Sequence, residues 1–230
     1  MFLLPLELKQ TVLKGAVPAV NALLIVANVV GYLFGWSWPV GRGTGLASIL
    51  LYGFCHYNLW HLVLNLWALW VFGNPVNRRL GNGYYLLVCL SAIVTIGLFC
   101  RLTCPGVAMG ASGAIFAVMT IAMILLPAAR LQVAYLLLFP VTLLVGIVAP
   151  LRRYWLHWFI RWGIFELRMY WCLVLIPLML LVELILGGLF LGIWSWGTAA
   201  HLLGMVFGIV VVLALPTRIT MPGRAARGIL

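Results

Sequence analysis

Aspartate is absent from this chain of 230 residues, and its only acids are Glu7, Glu166 and Glu183. That absence excludes a Ser-His-Asp triad, a pair of catalytic aspartates and any carboxylate-rich calcium or magnesium cage. Charge of either sign is scarce, at 7% of residues against roughly 25% in an ordinary soluble domain. The five cysteines are an odd number and do not form a simple disulfide framework. Cys100 and Cys104 could meet on the outer face, with isolated buried thiols as the alternative. Long-period repeats, low-complexity linkers and a soluble domain are also missing. The N-terminal arm, which carries Glu7 and has no small-residue cleavage site, does not read as a cleavable signal.

What is present is apolar. Hydrophobic residues make up 66% of the chain, more than a water-soluble core of this size can hide. The composition predicts a polytopic, all-α membrane protein. The 14 Lys and Arg, net charge +11, then report topology rather than nucleic-acid binding. Spans of about 20 apolar residues are expected near 17–34, 59–76, 84–100, 112–126, 169–186 and 198–215. Pro127 stops the fourth. A seventh apolar segment, 133–149, contains Pro140 and Gly146 and precedes Arg152, Arg153, Arg161 and Arg168.

Lys9, Lys14, Arg78, Arg79, Arg130 and the tail arginines Arg218, Arg224 and Arg227 all favour the inner face. Both termini inside requires an even number of spans. The expectation is therefore six spans, with 133–149 a re-entrant or interfacial excursion and the basic, aromatic stretch 151–168 a helix at the headgroup level. Anionic lipid is the partner this stretch suits, not nucleic acid. Residues 1–16 form a cytoplasmic arm, 17–215 the bundle and 216–230 a basic cytoplasmic tail, in one domain.

Polar groups inside spans are costly and so are candidates for function. They gather in three places. His56, His61 and Asn65 lie at the outer end of the second span, with His61 and Asn65 four apart on one helix face. Gly110-Ala111-Ser112-Gly113 opens the fourth span. His201, Gly204 and Gly208 make an i, i+3, i+7 stripe on the sixth, and Gly113, Ala114 and Ala117 offer a small surface for it. All three places fall at similar depth near the outer side. Serine needs a neighbouring base, and His201 is the candidate. The free N–H groups and positive dipole at the start of the fourth helix, with His56 or Asn65, could stabilise an oxyanion. Singly, each piece also reads as a cap, a packing residue or a helix-to-helix hydrogen bond. Glu183, within the fifth span, could face a polar cavity or reach an interface. No H-E-x-x-H and no carboxylate near the histidines supports a metal.

The three motifs resemble the rhomboid family of intramembrane serine proteases over about 51–211. The family's His-x4-His-x3-Asn pattern appears as His56, His61 and Asn65, its Gly-x-Ser-Gly as Gly110 to Gly113, and its His-x-x-Gly-x-x-x-Gly as His201, Gly204 and Gly208. Gly73 and Gly81 resemble the family's loop after the second span. The resemblance implies a six-helix fold with Ser112 as nucleophile and His201 as general base. It assigns His56, Asn65 and the Ser112 N–H to the oxyanion site, flanked by Gly110 and Gly113. His61, Phe116, Gly204 and Gly208 would be structural. Departures from the family pattern are Phe116 for a frequent Tyr, Asn77 for a frequent Glu, a longer segment at 133–168, and no Trp-Arg pair around Trp36 to Arg42.

The family's activity would make the chain a serine endopeptidase cleaving transmembrane segments of other membrane proteins, with no cofactor, metal or nucleotide. The alternative is a silent relative that binds membrane clients. A bacterial inner membrane is the expected location.

Overall fold

The computed structural model describes residues 2–9, 17–138, 160–191 and 195–216. Within them the chain is mostly helical. In order come α1 (Ala19–Leu33), the short α2 (Ser48–Leu51) with a single 3-10 turn over Tyr52–Phe54, and α3 (Leu59–Ala68). A π turn (Leu69–Gly73) joins α3 to α4 (Asn74–Leu80), so the three pieces run on without a break. Then follow α5 (Asn82–Thr103), α6 (Ser112–Leu125), α7 (Met169–Leu191) and α8 (Trp196–Ala214). Each coincides within a few residues with an apolar segment read from the sequence. Three of them, α5, α7 and α8, are long and apolar enough to cross a membrane. The protein is an integral membrane protein.

Local chemistry sets the ends. Asn58 caps α3 by accepting the His61 N–H at 2.9 Å, and Ser195 caps α8 by accepting the Thr198 N–H at 3.2 Å. Gly81 ends α4 at φ +79°, where a side chain would be strained.

The all-α expectation is corrected by a three-stranded antiparallel sheet of β1 (Phe2–Lys9), β4 (Arg130–Leu138) and β5 (Ile160–Arg168), in the order β1-β4-β5. The interfacial helix expected over 151–168 is, over 160–168, the strand β5; the excursion expected over 133–149 is, over 133–138, part of β4. The remainder of both, 139–159, lies outside the described residues. The local pattern has a period of two: Leu131 and Val133 are buried while Arg130 and Gln132, alternating with them, are more exposed and reach Glu166 on β5. Pro5 sits on the edge strand β1 beside a bulge, where a missing N–H is tolerated. Its carbonyl accepts the Trp67 indole N–H. A second, two-residue pairing joins β2 (Val40–Gly41) to β3 (Val107–Ala108), tying the loop between α1 and α2 to the segment that leads into α6.

The π turn widens the helix and frees carbonyls that a bilayer cannot hydrate. Pro75, just beyond it, has no N–H to return to the preceding turn. Buried Asn21 of α1 fills the gap. Its Nδ2 donates to the Leu69 carbonyl and to Asn74 Oδ1, both at 2.9 Å, and its Oδ1 accepts the Tyr85 hydroxyl at 2.6 Å. Asn77 Oδ1 accepts the Asn21 N–H at 3.0 Å. Asn21→Ala strands the Tyr85 hydroxyl and the Leu69 carbonyl in an apolar interior. The expected loss is about 1–3 kcal/mol, read as a lower unfolding midpoint in detergent, whereas half-buried Ser91→Ala, which removes only a hydroxyl bonded to carbonyls of its own helix, leaves the midpoint within error.

Helix α6 is enclosed, with 10 of its 14 residues buried, and α8 lies directly against it. A Cβ on Gly204 would sit 2.1 Å from the Gly113 carbonyl oxygen, and one on Gly208 would sit 2.6 Å from that of Ala117. No side chain fits there without separating the helices. Gly204→Ala is therefore expected to cost about 1–3 kcal/mol, as overpacking does, and to displace α8 from α6. Thermal unfolding reads the first effect, and the rate of reaction with the probe described under Proposed function reads the second.

Candidate active site

Ser112 is the first residue of α6, and its hydroxyl does not cap the helix. The N-cap position is Ala111, with no side-chain cap bond. Instead Ser112 Oγ lies 2.9 Å from His201 Nε2, which α8 carries one turn before Gly204. Phe116, one turn along α6, stacks on the imidazole with ring centres 4.3 Å apart and planes 20° off parallel. The Phe in place of Tyr thus keeps the ring contact. Gly113, beside Ser112, packs against Ile96 of α5 and against α8, where a Cβ would come 2.9 Å from Ile96 Cδ1.

The pair opens onto a cavity of about 330 Å³. Ser112, His201 and His61 line it together with the Gly106–Gly110 segment and Trp196. Gly110 takes φ +120°, and its N–H donates to the Tyr52 carbonyl at 2.9 Å. A Cβ there would lie 2.5 Å from His61 Cε1 and 3.6 Å from Asn65 Nδ2, so His61 rests against the backbone just ahead of Ser112. The start of α6 leaves backbone N–H groups without helical partners beside this space.

The two histidines of the second polar cluster change places relative to the expectation. His56, expected beside the oxyanion, does not line the cavity. It is buried at 8% exposure behind it, its Nε2 2.9 Å from Asn65 Nδ2. His61, expected to tie down the loop, lines the cavity. The cause is local: His56 precedes the Asn58 cap and turns inward, whereas His61 lies on the first turn of α3, facing the loop before Ser112. Tyr57 is the residue the sequence reading passed over. It stacks on His61 at 5.9 Å and donates to the Val107 carbonyl at 3.0 Å. Its place between His56 and the Asn58 cap is the only signal the sequence offered.

Burial and the neighbouring His61 push His56 down to about 4, so its ring is neutral near pH 7. The Asn65 amide donates to Nε2, which places the proton on Nδ1. Among the described residues Cys100 and Cys104 are both buried free thiols. Cys100 and Cys104 also line the cavity.

Sequence comparison accords with this geometry. The profile of the Rhomboid domain matches residues 43–218. The chain belongs to the rhomboid family. It is similar to the mitochondrial presenilin-associated rhomboid-like protein of Bos taurus, 33% identical over 102 residues, which are 42% of this chain and 27% of the relative. It is also similar to the mitochondrial Rhomboid protein 1 of Saccharomyces cerevisiae, 31% identical over 132 residues, 54% of this chain and 37% of the relative. Rhomboid protease GluP of Bacillus subtilis is 41% identical over 61 residues, 26% of this chain and 12% of the relative. The matches span well under half the length of these curated relatives. They fall on mitochondrial and bacterial rhomboids alike, and so do not single out the bacterial inner membrane expected from the sequence.

The His56 environment gives a signed pH dependence. The folded value, about 4, lies below the ordinary 6.5, so the unfolded chain binds more protons between them and stability rises with pH across that window. The unfolding midpoint in detergent is expected to fall as pH drops from about 6.5 to 4, and His56→Gln to flatten that slope. An equal slope in both proteins would assign it to other groups.

Proposed function

We propose that the chain is an intramembrane serine endopeptidase in which Ser112 is the nucleophile and His201 the general base. The observation that carries this reading is the 2.9 Å approach of Ser112 Oγ to His201 Nε2 at the edge of a cavity large enough for a peptide segment and water. An unassisted serine hydroxyl is a poor nucleophile, and a base in hydrogen-bond contact supplies what it lacks. His201 Nε2 accepts the hydroxyl proton as Ser112 Oγ attacks the scissile carbonyl. It then donates that proton to the leaving amine, and a water enters by the same route to release the acyl group.

The developing oxyanion is met by the unpartnered N–H groups at the start of α6 and by His61 and Asn65, which converge on Gly110. In this reading His56 supports the site from behind by fixing the Asn65 amide. Gly110 holds the loop close to His61, and Gly204 and Gly208 hold α8 against α6. The substrates are transmembrane segments of other membrane proteins, unwound locally so that an extended peptide reaches Ser112. The distribution of Lys and Arg supports six spans with both termini on the inner face and the cavity toward the outer one.

The test is hydrolysis of a single-span reporter substrate in liposomes beside labelling by a fluorophosphonate, which reacts only with an activated serine. Wild type is expected to cleave and to label. Ser112→Ala is expected to lose both, and His201→Ala to lose at least about 10²-fold, the lower end of what a general base supplies. Labelling retained in Ser112→Ala would place the nucleophile elsewhere. A folded wild type that neither cleaves nor labels would point to a client-binding rhomboid.

A further inference from the structure

Glu183 is the only acid of this chain that lies within an apolar span. A carboxylate at such a position is costly unless it has a task. Among the described residues no lysine or arginine pairs with it. Its Oε1 instead accepts a hydrogen bond at 2.8 Å from the Thr198 hydroxyl, which α8 buries to 3% exposure. Thr198 Oγ1 is in turn 2.7 Å from Ser195 Oγ, the cap of α8, which accepts the Thr198 N–H at 3.2 Å.

The direction of these bonds is fixed by chemistry. An ionised carboxylate only accepts, so the Thr198 hydroxyl donates to Glu183, and the Ser195 hydroxyl donates to Thr198. One carboxylate on α7 thereby orders the Thr198 hydroxyl and, through it, the Ser195 hydroxyl that caps α8, and it places negative charge at the positive end of that helix. Thr198 is three residues before His201, on the adjoining turn of the same face. Glu183 also lies within electrostatic reach of the His201 imidazole, as does His61. The tightest contacts of α8 with α6, at Gly204 and Gly208, lie beyond His201 on the side away from Thr198, so the turn that carries His201 is secured from below by glycine and from above by Glu183.

We infer that Glu183, acting through Thr198, is a positioning residue for His201. It fixes the first turns of α8 so that the imidazole meets Ser112, and its charge favours the imidazolium that forms when His201 takes the serine proton. In a chain without aspartate it does at a distance what a third triad member does by contact. This inference rests on the endopeptidase reading.

The experiment compares wild type, Glu183→Gln, Thr198→Val, Thr198→Ser and the Gln/Val double variant in liposomes with the reporter substrate. Each protein's unfolding midpoint is recorded as a check on folding. Glu183→Gln keeps an acceptor oxygen and removes the charge, and is expected to lower kcat about fivefold, the upper end for an exposed charge at a helix terminus, with KM unchanged. Thr198→Val, near-isosteric, is expected to do the same, and Thr198→Ser to retain the wild-type rate. The double variant should be no slower than the slower single one, because both act through one bond.

Wild-type kcat in both folded Glu183→Gln and Thr198→Val overturns the inference while leaving the protease reading intact. A wild type that neither cleaves nor labels removes the protease reading. The anchoring of α8 is then decided by hydrogen exchange of the 198–202 amides: faster exchange in both variants supports it, and unchanged exchange overturns it.

Discussion

The distance between α6 and α8 decides what this protein can do. Inside a bilayer there is no hydrophobic gain in bringing two apolar helices together, because lipid is as apolar as leucine; close packing of small residues must supply the attraction. Here Gly204 and Gly208 meet the Gly113 and Ala117 carbonyls at a separation that excludes even a methyl group. The Ser112–His201 pair sits at the end of that seam. Ser112 directly precedes Gly113, and His201 lies one turn before Gly204. The contacts that hold the helices are thus the contacts that set Oγ to Nε2 at 2.9 Å. Structure and chemistry share one constraint.

Polar groups elsewhere follow the same economy of position. The Asn21 cluster around the π turn and the His56–Asn65 pair are both built from groups that stay neutral, which an apolar medium tolerates far better than ions. Asn21 is held by Leu69, Asn74 and Tyr85, and Asn65 by His56. Rigid polar clusters at a helix irregularity and behind the cavity keep α3 and α4 in register with α5 and α6. That register is what delivers His61 to Gly110. The sheet of β1, β4 and β5 joins the chain at the far end of α6 from Ser112, so it ties α6 to α7 without entering the cavity.

Legibility in the sequence followed locality. The stripe His201, Gly204, Gly208 and the small surface of Gly113 and Ala117 are set by a helical period of 3.6, so spacing alone placed them on facing sides. The helix segments were legible for the same reason. The order of His56 and His61 was not, because it depends on whether the chain before the Asn58 cap turns inward, and only the folded loop decides that. The strands escaped for a different reason. The stretch 160–168 has arginine beside tryptophan and phenylalanine, a composition that suits an interfacial helix equally well, and the pairing of β1 with β4 joins residues more than 120 positions apart. Nothing within a short window carries that pairing.

The missing aspartate is the last piece of the physical argument. In water-soluble serine hydrolases a carboxylate in contact with the base holds its tautomer and steadies the imidazolium. A contact carboxylate next to the base would sit in the apolar span, and its desolvation would have to be offset at rest as well as in reaction. On the proposed endopeptidase reading, this rhomboid divides the task. Stacking on Phe116 at 4.3 Å holds the ring plane and meets a developing cation with a π face. Helix α8, pinned by glycine at one end and by the Glu183–Thr198 bond at the other, holds the ring's position. The charge inferred to steady the imidazolium then stands apart from the ring, already hydrogen-bonded, where its own desolvation is partly offset by Thr198 and by the end of the helix dipole. A base oriented by packing, with its counter-charge kept at a distance, is the arrangement that low dielectric favours.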